Sequence, residues 1–310
     1  ELNVGTILDY SVEGKETEKD FKKTFEEILK TIKTAHGNDH IPFCVFKVTG
    51  IARFKVLETV NSGGPIPPAM VEEYQRVRER VDQICAGAFD ANTPVLIDAE
   101  ESWIQDTIDQ LAEEMMEKYN SAKAVVWNTA QMYRHDRLAY CEGLIARSHK
   151  RGFKVGLKLV RGAYMEKERD RATEMDYSSP IHATKADSDR DFDRALELCL
   201  DNLDVVSLCA GTHNEKSSSK LTQLMAQHGL EKNDSRVYFA QLFGMSDHIT
   251  FNLAAEGYNV AKYVPYGEIK EVIPYLLRRA EENTSVAGQT SRELSLISSE
   301  ITSRRTKRQS

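Results

Sequence analysis

The chain has 310 residues, of which 41% are hydrophobic and 29% charged, an ordinary composition for a folded globular protein. Its formal net charge of −7, without a basic stripe, argues against a nucleic-acid partner. No apolar run approaches the ~20 residues that a membrane-spanning helix needs. The five cysteines follow no metal-ligand spacing, so we expect buried thiols in a reducing compartment and no metal site.

Apolar runs alternate along the chain with stretches of helical period, and turn residues separate them. The predicted strands are 4–10, 41–48, 94–98, 124–132, 154–160, 204–210, 237–242 and 259–264. The predicted helices are 15–36, a short one near 51–60, then 71–89, 102–119, 136–151, 191–202, 216–228, 249–256 and 269–282. A charged insert is expected at 166–190, and the last strand is expected to break at Pro265 and Gly267.

Eight strand-then-helix units in strict alternation predict an α/β fold, a (βα)8 barrel of the TIM type. The strands read as continuous apolar runs, which is typical of parallel strands covered by helices. A doubly wound dinucleotide-binding sheet would carry GxGxxG after its first strand, and this chain does not. We expect residues 1–283 to form the barrel domain and 284–310 a polar, partly helical tail.

Polar side chains gather at the carboxyl ends of the predicted strands, the face where barrel enzymes place their active sites. Taken singly, each has an ordinary structural explanation. Asp98 could cap the next helix, His213 could be a bonded core histidine, and Lys47 could be a surface lysine. The residues at these strand ends are Lys47, Asp98, Gln131, Lys158, Arg161, Thr212, His213, Asn214, Gln241 and Tyr263.

The last predicted helix carries an aromatic ring, two guanidiniums and a carboxylate on one face, because Tyr275, Arg278, Arg279 and Glu282 follow helical spacing. Two adjacent guanidinium groups suit a bound carboxylate or phosphate. The alternative is a solvated helix with an Arg278–Glu282 pair. The chain shows no spacing for a Ser-His-Asp triad or an HExxH metal site.

Several motifs resemble the proline dehydrogenase family, which contains the flavin-dependent first enzyme of proline catabolism. They are KLVRGAY at 158–164, GTHN at 211–214, FAQLFGM at 239–245 and YVPYG with PYLLRRAEEN within 263–283, together with DAEE at 98–101. The resemblance covers nearly the whole chain and is closer to the monofunctional branch than to the bifunctional fusions. It implies a distorted (βα)8 barrel that holds FAD across its strand ends, with the last helix over the barrel mouth.

The resemblance implies a substrate site for L-proline. Arg278 and Arg279 match the pair that binds the proline carboxylate, and Lys47 matches a lysine on the opposite side of the substrate. Asp98 matches an aspartate that orders Lys47 and a nearby tyrosine. The residues that match the walls around the proline ring are Leu159, Ala163, Tyr263 and Tyr275.

The resemblance also implies a cofactor site for FAD. Lys158 matches a position near the flavin N5, where its charge would stabilise the reduced flavin. The insert 166–190 is expected near the adenine end. The residues that match FAD contacts are Gln131, Lys158, Val160, Arg161, Gly162, Ala163, Thr212, His213, Asn214, Gln241 and Glu282.

The implied reaction is the oxidation of L-proline to Δ1-pyrroline-5-carboxylate by hydride transfer to FAD, with electrons passed to a membrane quinone through peripheral membrane contact. No transit peptide is recognisable, so we expect a bacterial cytoplasmic protein at the inner membrane, with the mitochondrial matrix or inner membrane as the alternative. Two other functions remain open from the residues: a Schiff-base lyase that uses Lys158, and a catalytically silent barrel that binds proline analogues.

Overall fold

The computed structural model describes residues 3–270, 272, 273, 276, 277 and 298. Its eight strands are all parallel and close into a barrel in chain order, and β8 returns to pair with β1. This confirms the predicted barrel. The strands are β1 Val4–Tyr10, β2 Phe43–Phe46, β3 Val95–Ile97, β4 Val126–Gln131, β5 Val155–Val160, β6 Val206–Gly211, β7 Val237–Leu242 and β8 Val260–Tyr266.

Helices follow the strands and cover the outside of the barrel, and local signals fix their ends. Thr17 caps the first helix by accepting a hydrogen bond from the Asp20 N–H at 3.2 Å. Gly152 closes the fifth with a left-handed φ of 79°. No helix in the described part of the chain is long and apolar enough to cross a membrane. The helices are α1 Glu18–Ala35, α2 Phe54–Asn61, α3 Pro68–Asp90, α4 Ser102–Tyr119, α5 Arg137–Arg151, α6 Met165–Glu174, α7 Lys185–Asp201, α8 Glu215–Gln227 and α9 Asp247–Ala255.

An aromatic cluster fills the barrel interior beneath the strand ends. The Phe43 ring meets Trp127 edge-on at 5.0 Å and Tyr238 at 4.9 Å. Gly156 on β5 makes room for the indole, since a Cβ there would lie 2.4 Å from a Trp127 ring carbon. A second apolar layer, which includes Leu157 on β5, packs between the barrel and the helices. The packed interior leaves the carboxyl ends of the strands as the place for a site.

The last strand does not break at Pro265, contrary to the expectation from sequence. β8 continues to Tyr266, and Pro265 lies opposite Asp9 of β1. On the other side of β8, the pairing with β7 ends before Pro265, at the pair of Leu242 and Tyr263. The missing N–H of Pro265 therefore falls beyond the end of β7, where no ladder bond is lost.

The predicted insert 166–190 contains helix α6 and the beginning of α7, which starts at Lys185 after its cap Thr184. The link between these helices is tied to the loop after β4. The His182 N–H donates to the Tyr133 carbonyl at 2.7 Å. The last predicted helix, 269–282, and the tail, 284–310, lie largely outside the described residues.

Candidate active site

Asp98, just after β3, is the centre of a charged cluster at the carboxyl ends of the strands. One of its oxygens accepts hydrogen bonds from Lys47 Nζ at 2.7 Å and from the Tyr263 hydroxyl at 2.6 Å. The other accepts from Lys158 Nζ, which also lies 4.9 Å from the centre of the Tyr263 ring. The structure thus brings together four residues that the sequence analysis places at four different strand ends.

The electrostatics of this cluster follow from burial and pairing. Burial alone would raise the pKa of the Asp98 carboxyl, but the ammoniums of Lys158 and Lys47 outweigh it and hold that pKa well below its usual range. For Lys47, burial opposes the charged form, yet attraction to Asp98 raises its pKa well above the ordinary value. Both ammoniums are hydrogen-bonded to the same carboxylate and keep further N–H donors, which suits an anionic ligand.

Glu100, two residues after Asp98, anchors the backbone beyond Lys47. Its carboxylate accepts from the Thr49 N–H at 3.0 Å and from the Thr49 hydroxyl. Burial, followed by repulsion from Glu101, raises the pKa of Glu100 to about 8. The DAEE motif therefore supplies both the counter-charge of Lys47 and the support of its backbone.

Tyr164 is a part of this site that the sequence analysis does not single out. It directly precedes α6, and burial raises the pKa of its phenol well above the usual value. The largest opposing influence on this pKa is the positive charge of Lys47, which lowers it. The position of Tyr164 at the end of the KLVRGAY motif could have indicated a site residue. A tyrosine in a loop has many structural roles, however, so the sequence alone does not assign it to the site.

The loop after β5 is shaped by close approach to its neighbours. A Cβ at Gly162, where φ is 139°, would lie 2.4 Å from the Tyr133 ring. Gln131, at the end of β4, lies beneath the loop, donating to the Glu100 carbonyl at 2.7 Å and accepting from the Ala163 N–H at 3.4 Å. Val160 is half-buried, and a Cβ at Gly211 would lie 2.9 Å from its side chain.

Arg161 in the same loop is held by a network that reaches three elements. Its guanidinium donates to Asp189 at 2.6 Å, Thr212 at 2.8 Å and Ser217 at 2.9 Å. It also lies 4.4 Å from the centre of the Phe192 ring. Asp189 belongs to the predicted insert, so one function of this segment is to orient Arg161.

The turn after β6 carries Thr212, His213 and Asn214. The Thr212 hydroxyl accepts from Arg161, and His213 Nδ1 lies 3.0 Å from the Ser246 hydroxyl. Asn214 caps α8, since its side-chain oxygen accepts from the backbone N–H groups of the first turn at 2.9 and 3.2 Å. Thr212 and Asn214 therefore contact the Arg161 network, whereas His213 contacts Ser246.

Leu159 and Gln241 both contact the layer of helices in the structure, and Gln241 Nε2 also donates to the Thr212 carbonyl at 3.3 Å, so their assigned ligand contacts stay predictions. Leu159 belongs to the apolar layer between the barrel and the helices. Gln241 faces α9, where its side-chain oxygen accepts from the Thr250 hydroxyl at 2.9 Å. The neighbouring Leu242 instead packs with the interior cluster that contains Tyr263. Four further predicted residues lie outside the described part of the chain: Tyr275, Arg278, Arg279 and Glu282.

This placement gives a matched test of Leu242 against Leu159. Leu242→Ala is expected to raise KM for the substrate about tenfold, because it removes a side chain that packs in the interior cluster with Tyr263, at a small loss of stability. Leu159→Ala is expected to lower the free energy of unfolding by about 2–5 kcal/mol and to leave KM nearly unchanged. Steady-state kinetics and denaturant unfolding of both variants check this, and an equal rise of KM in both would contradict it.

Comparison with known proteins agrees with the fold and shows the family of this chain. A model of the family "Proline dehydrogenase" matches residues 1–292. The carbapenem antibiotics biosynthesis protein CarD of Pectobacterium carotovorum is 32% identical over 298 residues, 96% of this chain and 77% of that protein. The mitochondrial proline dehydrogenase 1 of Homo sapiens is 38% identical over 231 residues, 73% of this chain and 38% of that protein.

Among solved structures, a proline utilization A protein from Bdellovibrio bacteriovorus, inactivated by N-propargylglycine, shares the fold. The TM-score is 0.81 at 20% identity, covering 92% of this chain and 30% of that one. The family match over most of the chain shows that it belongs to the proline dehydrogenase family. This chain spans well under half of the human relative.

Proposed function

We propose that this protein oxidises L-proline to Δ1-pyrroline-5-carboxylate with FAD and passes the electrons to a quinone, as the first step of proline catabolism. The observation that carries the proposal is the Asp98 cluster with Lys47, Lys158 and Tyr263 at the barrel mouth. It combines two buried ammonium groups with a phenol face, which suits a small ring that bears a carboxylate.

The residues after β4, β5 and β6 fit a flavin nucleotide. A guanidinium has five N–H groups, and those of Arg161 make three hydrogen bonds within the described part of the chain, which leaves donors for a phosphate. Gly162 lets the backbone run close to a ligand, and Gln131 fixes the loop beneath. These residues, with Thr212, would hold FAD, which when bound supplies the hydride acceptor.

The substrate carboxylate would be held by Lys47 together with Arg278 and Arg279, the pair outside the described residues. An ammonium has three donors, and Lys47 uses one of them on Asp98 within the described part of the chain. The proposed ring contacts are Tyr263, Leu242, Ala163 and Tyr275. Lys158, fixed by Asp98, adds the positive charge that we propose stabilises the reduced flavin.

The electron acceptor and location are part of the same proposal. We propose that the protein contacts the membrane peripherally and reduces a quinone there. The bacterial inner membrane is the location expected from the sequence. The name of the human relative, which is mitochondrial, supports the mitochondrial inner membrane as the alternative.

An absorbance spectrum of the purified protein, recorded before and after anaerobic addition of L-proline, tests the cofactor and the substrate together. Flavin bands that bleach with proline support the proposal. Bands that persist would keep the cofactor and reject proline as the substrate. Absence of flavin, even after incubation with FAD, would overturn the proposal.

The Schiff-base lyase alternative predicts a colourless protein that borohydride traps through Lys158 with a carbonyl substrate. A lysine nucleophile must lose its proton to attack. Here the side-chain nitrogen of Lys158 is buried and donates a hydrogen bond to the Asp98 carboxylate, which holds it away from a carbonyl carbon. The structure therefore gives this alternative no support.

Tyr263 is expected to set the preference for proline over 4-hydroxyproline, because its ring is held in place by the bond to Asp98 and would crowd a ring hydroxyl. Tyr263→Ser should narrow the ratio of kcat/KM for the two substrates about tenfold or more. Tyr263→Phe is the matched control: it loses the bond to Asp98 but keeps the ring, which also packs in the interior cluster, and should keep the preference. An unchanged ratio in Tyr263→Ser would reject this role.

A further inference from the structure

Asp9 is a buried carboxyl inside the barrel that the chemistry proposed above leaves unused. It follows Ile7 by two positions on β1, and Ile7 packs in the interior cluster, so strand alternation turns Asp9 toward the same interior. Its partner on β2 is Val45, also interior, and Lys47 is the next residue on that face. Asp9 is 1% exposed, so it lies beneath Lys47 and out of reach of a ligand.

The two carboxyl oxygens of Asp9 have different surroundings. Oδ2 accepts a hydrogen bond from the Ser11 hydroxyl at 2.8 Å. Oδ1 is buried and has no hydrogen-bond partner among the residues that the structure describes. A buried carboxylate oxygen without a donor is unfavourable, so it either becomes protonated or attracts a nearby donor.

The charged groups that face Asp9 come from three other strands. They are Lys47 after β2, Asp98 after β3 and Lys158 on β5, while Tyr263 on β8 presents its phenol to Asp98. Burial raises the pKa of Asp9 to about 6, Asp98 adds to the rise, and Lys47, Ser11 and Lys158 oppose it. Asp9 therefore changes charge in a pH range where Asp98 stays ionised.

Lys47 is the donor that Asp9 can attract. Its ammonium has three N–H groups, and within the described part of the chain one of them is bonded, to Asp98. We propose that Asp9 is a positioning residue for Lys47. When Asp9 is ionised, its Oδ1 is a second acceptor for the lysine and competes with the carboxylate of the substrate.

The inference rests on the proposed function and gives it a pH dependence. Below about pH 6 Asp9 is neutral, Lys47 keeps two N–H donors beside its bond to Asp98 for a carboxylate, and the net charge of the cluster is one unit more positive. As the pH rises through that value, Asp9 ionises, and affinity for an anionic ligand falls. We expect the gain of one negative charge near the ligand to lower the affinity roughly three- to tenfold.

The test uses tetrahydrofuran-2-carboxylate, a proline analogue with a ring oxygen in place of the amine. It therefore cannot form a C=N bond, and its carboxylate stays ionised from about pH 5 to about pH 8. Its dissociation constant for the FAD-loaded protein is measured by calorimetry across that range. For the wild type, the dissociation constant of the analogue should rise roughly three- to tenfold as the pH increases, with a midpoint near pH 6. Asp9→Asn should bind the analogue at every pH as tightly as the wild type binds it below about pH 6, so its dissociation constant should not change with pH. The carboxyl of Glu100 also titrates, but its pKa of about 8 lies at the top of the range and is separate from the midpoint expected for Asp9.

Ser11→Ala is the matched control, because it removes the hydrogen bond that favours ionised Asp9 and should move the midpoint to higher pH. The same pH profile in Asp9→Asn as in wild type overturns the inference. If Asp9→Asn does not fold, an unmoved midpoint in Ser11→Ala overturns it instead. A wild-type protein that loads FAD but binds no analogue at any pH overturns the proposed function, and this inference with it.

Discussion

Replacing Asp98 by Asn is expected to lower kcat/KM for proline by roughly 100- to 1,000-fold and the free energy of unfolding by about 3–5 kcal/mol. The amide keeps the shape of the side chain but cannot balance the two buried ammoniums of Lys47 and Lys158. The lysines and the Tyr263 ring then lose their common anchor. Steady-state kinetics and urea unfolding measure the two effects.

Asp109→Asn separates the loss of a buried charge from the loss of the site. Asp109 is also buried and paired, with Arg137 at 2.6 Å, but it lies among α4, β4 and α5 away from the strand ends. Its replacement should destabilise the protein and leave kcat/KM nearly unchanged. Equal kinetic losses in both variants would show that Asp98 acts only through stability.

The effect of Asp98 on stability should also depend on pH. The folded protein holds the pKa of Asp98 below its value in the unfolded chain. Its contribution is therefore complete above about pH 4, the ordinary range of an aspartate, and is lost as the pH falls through the folded-state pKa. The difference in stability between wild type and Asp98→Asn should shrink accordingly in acid.

Gly162→Ala is expected to weaken FAD binding at least about 100-fold, so that the purified variant carries little flavin. Two effects combine: φ is 139°, which other residues rarely adopt, and the new methyl would lie 2.4 Å from the Tyr133 ring. The loop that carries Arg161 must then move. The ratio of flavin to protein and a titration with FAD measure the result.

Gly152→Ala is the control for backbone strain without a clash. Gly152 has a φ of 79°, and a Cβ there would meet nothing within 4 Å. We expect a loss of about 1–2 kcal/mol in stability and a normal flavin content. A wild-type flavin content in Gly162→Ala would show that the loop after β5 does not hold the cofactor.

The barrel could be predicted from the sequence because apolar runs and turn residues mark the strands independently of the tertiary structure. The predicted strand 237–242 and helix 102–119 have the same ends as β7 and α4. Helix α6 was not predicted, since its packing relies on polar contacts. Its buried Glu168 accepts from the Ser102 N–H at 2.6 Å at the start of α4, a contact that no hydrophobic period reveals.

The side of the strand on which a residue lies was harder to predict than the strand itself. Parallel strands buried on both faces show no alternation of polar and apolar residues. Leu159 and Leu242 therefore look alike in sequence, although the first packs under the helices and the second packs inside the barrel. Lys47, Asp98, Lys158 and Tyr263 could be grouped because ionisable or phenolic side chains at strand ends stand out against apolar strands.

The five cysteines are all free and buried, so the rate at which a thiol reagent modifies them measures unfolding of the protein. Burial raises the pKa of Cys44, Cys141 and Cys209 to about 12, so the reactive thiolate is scarce in the folded state. A thiol reagent added to the native protein should react only as fast as the barrel opens. The modification rate of each variant, followed without denaturant, would then show whether a loss of activity reflects the site or the fold.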